Sequence, residues 1–325
     1  MPKPSFTLIK EKIKAARHIL VAAHVKPDFD ALVSVLALGA VLRKLGKNKK
    51  ASLFIPQFHA EKWGAIDGAE KIKSTFPKEK VDLVFGLDYA KMERLGVEKI
   101  LERDRPYLIS VDHHPLQDQR GDILWVDFRK SSVAEMVFEL ARAWNVTLKS
   151  STAQLLLLGI VGDTAGLATD KVTPEVLRIV AELVGAGADL PKTQMMLEEW
   201  ESTDDFILLS RIGKRAKADR RLRFIVSTVT ERDQRQFPSA SELSSRIVNL
   251  LRAVRGMKIA LVLVREKNYW YGHLRSRAES KIDLGKVAQH FGGGGHFHAA
   301  GFRTTLPAPK IIRAVKNLLE TKENR

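Results

Sequence analysis

The chain has 325 residues, no cysteine, 45% hydrophobic content and a formal net charge of +16. That length suits two domains with separate cores, and the lack of cysteine excludes disulfide scaffolds, thiolate zinc sites and thiol nucleophiles. No uncharged apolar run is long enough to span a bilayer, and Met1-Pro2-Lys3 leads to Lys10, Lys12 and Lys14 rather than to a signal segment, so a cytoplasmic protein with no membrane role is expected.

The first half alternates β-branched runs with amphipathic stretches, which predicts an α/β fold with a parallel sheet covered by helices. Strands are expected at residues 18–23, 51–55, 81–87, 107–111 and 123–126, and helices at 31–45, 131–144, 151–162 and 173–185. Gly46 is a good stop for the first helix, and Pro174 suits the first position of the last. From about residue 197 acidic residues give way to Arg211, Lys214, Arg215, Lys217, Arg220, Arg221 and Arg223, which predicts a linking helix into a second domain. There, strands are expected at 222–230, 257–265 and 269–277, and helices at 239–255, 284–291 and 309–319.

Charge is segregated along the chain. Residues 205–325 hold 25 Lys/Arg against 10 Asp/Glu, whereas residues 1–204 hold 29 against 28. One-sided basicity suggests a polyanionic partner, although a charge run is more often a solvated face.

Four segments concentrate ligand-type residues where a predicted strand ends or a helix begins: His24-Val25-Lys26-Pro27-Asp28-Phe29-Asp30, Asp88, Asp112-His113-His114, and Gly162-Asp163-Thr164. Ligands of open α/β sheets bind outside the carboxyl ends of the strands, so these segments should converge. A lone Asp at such a place is more often a helix N-cap, and a His pair is more often packing or surface. Their joint occurrence is what signals a site. Together they supply three His and five Asp, and so many carboxylates share a cleft only around cations. An oxygen and imidazole donor set without sulfur suits two divalent ions bridged by one carboxylate, with Mn²⁺ favoured and Mg²⁺ a possible substitute.

These motifs, in this order, resemble the DHH phosphoesterases, named for the triplet seen here as Asp112-His113-His114. In the second half, Arg275-Ser276-Arg277, Val287-Ala288, Phe291-Gly292-Gly293-Gly294-Gly295-His296 and Ala299-Ala300-Gly301-Phe302 resemble the DHHA1 domain. The resemblance implies a DHH domain over residues 1–196, a linker over 197–220 and a smaller α/β DHHA1 domain over 221–325. It is strongest toward small oligoribonucleases that also act as 3′-phosphoadenosine-5′-phosphate phosphatases. By position, His24, Asp28 and Asp88 would hold one Mn²⁺, and Asp30, Asp88, His113 and Asp163 the other. Asp112 would orient a histidine and His114 would face the substrate phosphate, with the choice of His113 or His114 as metal ligand left open. Arg275, Ser276, Arg277, Gly293, Gly294, Gly295 and His296 would receive the substrate.

The implied activity is two-metal hydrolysis of short oligoribonucleotides or of a bisphosphorylated nucleotide in a cleft between the domains, and the resemblance also implies a homodimer. Alternatives are a cyclic- or linear-dinucleotide phosphodiesterase, a single-strand exonuclease, or a non-catalytic RNA-binding protein. Phe29, Tyr89 and Pro115 depart from the family pattern and bear on substrate identity rather than on metal binding. Arg275 and Arg277 are expected on one face of a strand as phosphate forks. The glycine run is expected as an anion-binding nest.

Overall fold

The computed structural model describes residues 4–46, 50–198, 202–237, 240 and 243–320. The chain divides into two compact units, Met1–Glu199 and Trp200–Arg325. Among the described residues no helix is long and apolar enough to cross a membrane.

Unit 1 is built on strands β1 (His18–Ala23), β2 (Lys50–Phe54), β3 (Ile72–Lys73), β4 (Leu83–Leu87), β5 (Tyr107–Asp112) and β6 (Ile123–Val126). All pair in parallel, in the order β3-β2-β1-β4-β5-β6. The helices are α1 (Phe6–Ala15), α2 (Phe29–Leu45), α3 (Met92–Leu95), α4 (Glu98–Asp104), α5 (Val133–Ala143), α6 (Ser150–Asp163), α7 (Pro174–Gly185) and α8 (Leu190–Glu198).

Successive strand residues point to opposite faces, and both faces are covered. Ile19, Val21, Phe85, Leu87, Ile109 and Val111 pack with α1, α2, α5, α6 and α7. Leu20, Ala22, Val84 and Leu108 pack with Met92, Leu95 and Ile100 of the two short helices. Coverage on both sides explains why the strands read as continuous apolar runs. α2 is apolar around most of its circumference because it is buried between the sheet and its neighbours. The strand order reverses between β1 and β4, which opens a crevice at their carboxyl ends.

Unit 2 holds α9 (Thr203–Arg215), β7 (Lys217–Asp219), β8 (Phe224–Val229), α10 (Glu231–Gln236), α11 (Ser244–Ala253), β9 (Ile259–Glu266), β10 (Tyr269–Ser276), α12 (Leu284–Gln289), β11 (Gly294–His296), β12 (Ala299–Thr304) and α13 (Ala308–Glu320). Its sheet runs β11-β12-β10-β9-β8-β7, antiparallel except for the β8–β9 pair. One face packs against α12 and α13, the other against α9 and α11.

Two sequence expectations change here. The linking helix is not one element: α9 starts afresh at Ser202, whose hydroxyl accepts from the Asp205 amide at 3.1 Å while Asp205 accepts from the Ser202 amide at 3.1 Å. Such a capping box satisfies helix-start donors reciprocally; Glu199, Trp200 and Glu201 lie outside the described residues. The glycine run is the second change. Gly294–His296 form an edge strand paired with β12 instead of an open nest. At Gly295, φ is +146° and a Cβ would stand 2.5 Å from the Ala299 carbonyl, so only glycine permits this close approach.

Candidate active site

The sequence-marked residues of unit 1 meet at the crevice. His24 follows β1, Asp88 follows β4, and Asp112 ends β5 and leads into His113 and His114. Asp28 and Asp30 begin α2, and Asp163 ends α6. Three overlapping donor groups result: His24, Asp28 and Asp88; Asp88, His113 and His114; Asp30, His113 and Asp163. Within each, the ligand-type atoms lie within 4.8 Å of one another.

Asp88 occupies the centre. Its side chain is 1% exposed, and its two oxygens lie 3.8 Å from His24 Nε2, 3.4 Å from His113 Nε2 and 3.3 Å from His114 Nδ1. Neither oxygen has a hydrogen-bond partner. Its backbone is left-handed, φ +54°, a conformation that Asp tolerates better than most residues. Burial opposes its charge, but the imidazoles of His113 and His114 outweigh that and hold the carboxyl well below the usual range. Two buried carboxylate oxygens that accept no hydrogen bond, ringed by three imidazole nitrogens, leave their lone pairs open to a ligand. The residues present therefore fit a divalent metal ion.

The surrounding carboxylates are set by secondary structure. Asp28 is the N-cap of α2: its Oδ1 accepts from the Ala31 amide at 3.0 Å, while its Oδ2 lies 4.0 Å from His24 Nε2. Capping and metal binding are thus compatible in one carboxylate. Asp30 is buried and receives the Val133 and Ala134 amides at 2.6 and 2.8 Å, so the N-terminus of α5 holds it. Burial first, then Asp88 and Asp163, push the Asp30 carboxyl well above its ordinary pKa. Asp163 lies 3.4 Å from His113 Nε2, and burial pushes it up to about 6.

The two histidines of the triplet differ. His113 is buried and aims Nε2 between Asp88 and Asp163; despite burial, those carboxylates and Asp30 raise it to about 9. His114 is 36% exposed, with Nδ1 2.9 Å from Asp112 Oδ1. Asp112 first, then Asp88, raise it to about 10. Asp112 is itself fixed, accepting from the Tyr89, Ala90 and His114 amides at 3.0, 2.7 and 2.9 Å.

His24 Nδ1 lies 2.9 Å from the Val25 carbonyl and 2.9 Å from an Arg94 guanidinium nitrogen. The carbonyl can only accept and the guanidinium can only donate, so Nδ1 serves one of them at a time; the tautomer that donates to the carbonyl is the one that presents the Nε2 lone pair for a metal ion. Arg94 and the α5 amides were not visible in the sequence, since neither belongs to a local motif. Tyr89 is fully buried in the core beside α3 and α4, with its hydroxyl 2.7 Å from Ser110 Oγ.

Unit 2 places its expected site residues less uniformly. Arg275 lies on β10, half-buried, and burial first, then Arg252, lower its pKa. Arg277 falls beyond the end of β10, and its guanidinium donates to the carbonyls of Arg252, Ala253 and Val254 at 3.0, 3.0 and 3.4 Å. The Arg277 guanidinium thus caps the end of α11. Ser276 is buried, with its hydroxyl 2.7 Å from His298 Nδ1. His298, two residues beyond His296, is a further polar group that the alternating His-Phe-His spacing could have marked. Gly293, Gly294 and Gly295 lead into the exposed His296.

Family models match both halves: the DHH family, N-terminal domain, over residues 18–160, and the DHHA1 domain over residues 223–323, about three quarters of the chain together. The chain belongs to the DHH phosphoesterase family. It is 27% identical over 324 residues to a bifunctional oligoribonuclease and PAP phosphatase NrnA of Thermus thermophilus, covering 98% of this chain and 95% of the relative. It is also 27% identical over 300 residues to an uncharacterised protein of Mycoplasma pneumoniae, covering 90% of this chain and 88% of that one. The fold is similar to that of an exopolyphosphatase-related protein from Bacteroides fragilis, with a TM-score of 0.86, 21% identity and coverage of 97% of this chain and 95% of the other.

Proposed function

We propose that this DHH protein hydrolyses short oligoribonucleotides to mononucleotides and 3′-phosphoadenosine 5′-phosphate to AMP, using two divalent cations, preferably Mn²⁺. The observation that carries this is Asp88, a buried carboxylate without hydrogen-bond partners, shared by two donor groups. Similarity to NrnA along nearly the whole chain supports the substrate class.

In this proposal His24, Asp28 and Asp88 hold one cation, and Asp30, Asp88, His113 and Asp163 the other. When bound, the pair would supply a water of lowered pKa and positive charge for the phosphoryl oxygens. Asp112 binds His114 Nδ1 and so leaves Nε2 facing outward, where it donates a proton to the leaving oxygen. The Asp112 carboxylate, 2.9 Å from Nδ1, favours the protonated ring before the step. In unit 2, Arg275 and His296 bind substrate phosphate, and Arg277 supports them by fixing the end of α11.

With Mn²⁺ present, the protein should convert labelled di- to pentaribonucleotides to mononucleotides and release phosphate from 3′-phosphoadenosine 5′-phosphate. Failure to form either product at stoichiometric protein overturns the proposal. Asp112→Ala separates catalysis from simple binding: turnover should fall ~100–1,000-fold while substrate affinity holds within a few-fold, by analogy with loss of an oxyanion donor.

A further inference from the structure

We propose that unit 1 carries a second ligand site, for a small organic phosphate of mononucleotide size, at the end of α2 and α6 away from the metal-binding cluster. A cavity of about 370 Å³ opens there, within the ~300–1,000 Å³ range of small-molecule sites. Arg43 and Lys44 reach it from the last turn of α2, Lys71 from the turn before β3, and Lys149 from the start of α6. Val146 and Leu148, both partly exposed, supply apolar lining. Among the described residues no carboxylate lines the cavity.

The four cations are poorly compensated. Lys44 is anchored by donating to the Thr147 carbonyl, and the Lys71 ammonium is 4.0 Å from Glu70. Arg43 and Lys149 have no ion pair among the described residues. Lys149 also stands at the N-cap of α6, a helix with no acidic residue in its first turn. A cation there opposes the helix dipole. Like charges gathered around a concave, partly apolar surface favour an anion with an organic body. Phosphate would meet the cations, and a sugar or base would cover Val146 and Leu148. Inorganic phosphate would leave the apolar wall wet.

This site is distinct from the metal-binding cluster. Asp30 and Arg43 lie on the same helix, and at 1.5 Å per residue their positions are ~20 Å apart. The inference does not depend on the reaction proposed above, because its test reads binding without turnover.

The test is hydrogen exchange of the full-length protein in EDTA with AMP, inorganic phosphate or neither. AMP should protect the amides of Ser150, Ser151 and Thr152, and inorganic phosphate at equal concentration should protect them at least tenfold less. Lys149→Glu should abolish this protection while leaving oligonucleotide turnover with Mn²⁺ unchanged; an acid at this N-terminus favours the helix, so loss of fold is not expected. Arg43→Gln should weaken AMP at least tenfold in the same readout. No protection of these amides by AMP, equal protection by inorganic phosphate, or protection unaltered in both variants would overturn the proposal.

Discussion

Asp88 combines three demands at one position: a left-handed backbone, full burial and a negative charge. Asn tolerates the same backbone, so Asp88→Asn removes the charge with little strain. It should keep its fold by circular dichroism, lose the Mn²⁺-induced rise in Tm, and lose at least ~100–1,000-fold in turnover. A metal-induced rise equal to that of the wild type would show that Asp88 does not hold the ion. The residue types of this site were legible in the sequence because they sit in short contiguous motifs at strand ends. What was not legible was division of labour. Asp28 caps a helix as well as facing His24, Asp30 is gripped by amides a hundred residues away, and Arg277 serves α11. Those roles arise from tertiary packing, which local spacing does not encode.

Between elements, closeness of approach decides stability. At Gly159 in α6, a Cβ would stand 2.6 Å from Ala134 Cβ, 2.8 Å from Val33 Cγ2 and 3.0 Å from Asp30 Oδ1. Gly159→Ala gains up to ~1 kcal/mol of helix propensity, but overpacking costs ~1–3 kcal/mol. Net destabilisation is expected, read as a lower urea midpoint, together with weaker Mn²⁺ binding because Asp30 must move. In unit 2, Asp233 caps α10 with Thr230 and accepts from Arg215 at 2.6 and 2.7 Å. Burial opposes its charge, but Arg215 and Thr230 lower its pKa to about 2. Because this folded value lies below the ordinary one, its stabilisation is present above pH ~4 and lost as pH falls through about 2. Asp233→Asn should therefore cost ~2 kcal/mol at pH 7 and flatten the acid limb of the stability profile. Many of the longer elements of both units were readable, with β1 and β6 matching their expected bounds, but α1, α4, most of α8 and β12 were not expected. The four-residue α3, the two-residue β3 and the glycine-built β11 were not, since each is too short for periodicity and is formed by its neighbours.

For the whole molecule, charge separates by unit: the carboxylate cluster lies in Met1–Glu199, and most of the excess cations lie in Trp200–Arg325. Adding Mn²⁺ should protect, in hydrogen exchange, the peptides after β1, β4 and β5 and the end of α6, with no change in unit 2. Protection confined to unit 2 would place the ion elsewhere. If substrate binding neutralises three phosphates of a single strand, log K should fall with log salt at a slope of about −2. A flat dependence would separate the basic surface from substrate binding. The sheet margins bear on behaviour in concentrated solution. Both sheets terminate in stubs: β3 has two residues, β6 four, β7 three and β11 three. A stub offers another chain few unpaired amides for strand addition. Templated growth into fibrils is therefore restrained at all four margins by strand length, leaving the long inner strands shielded on either side.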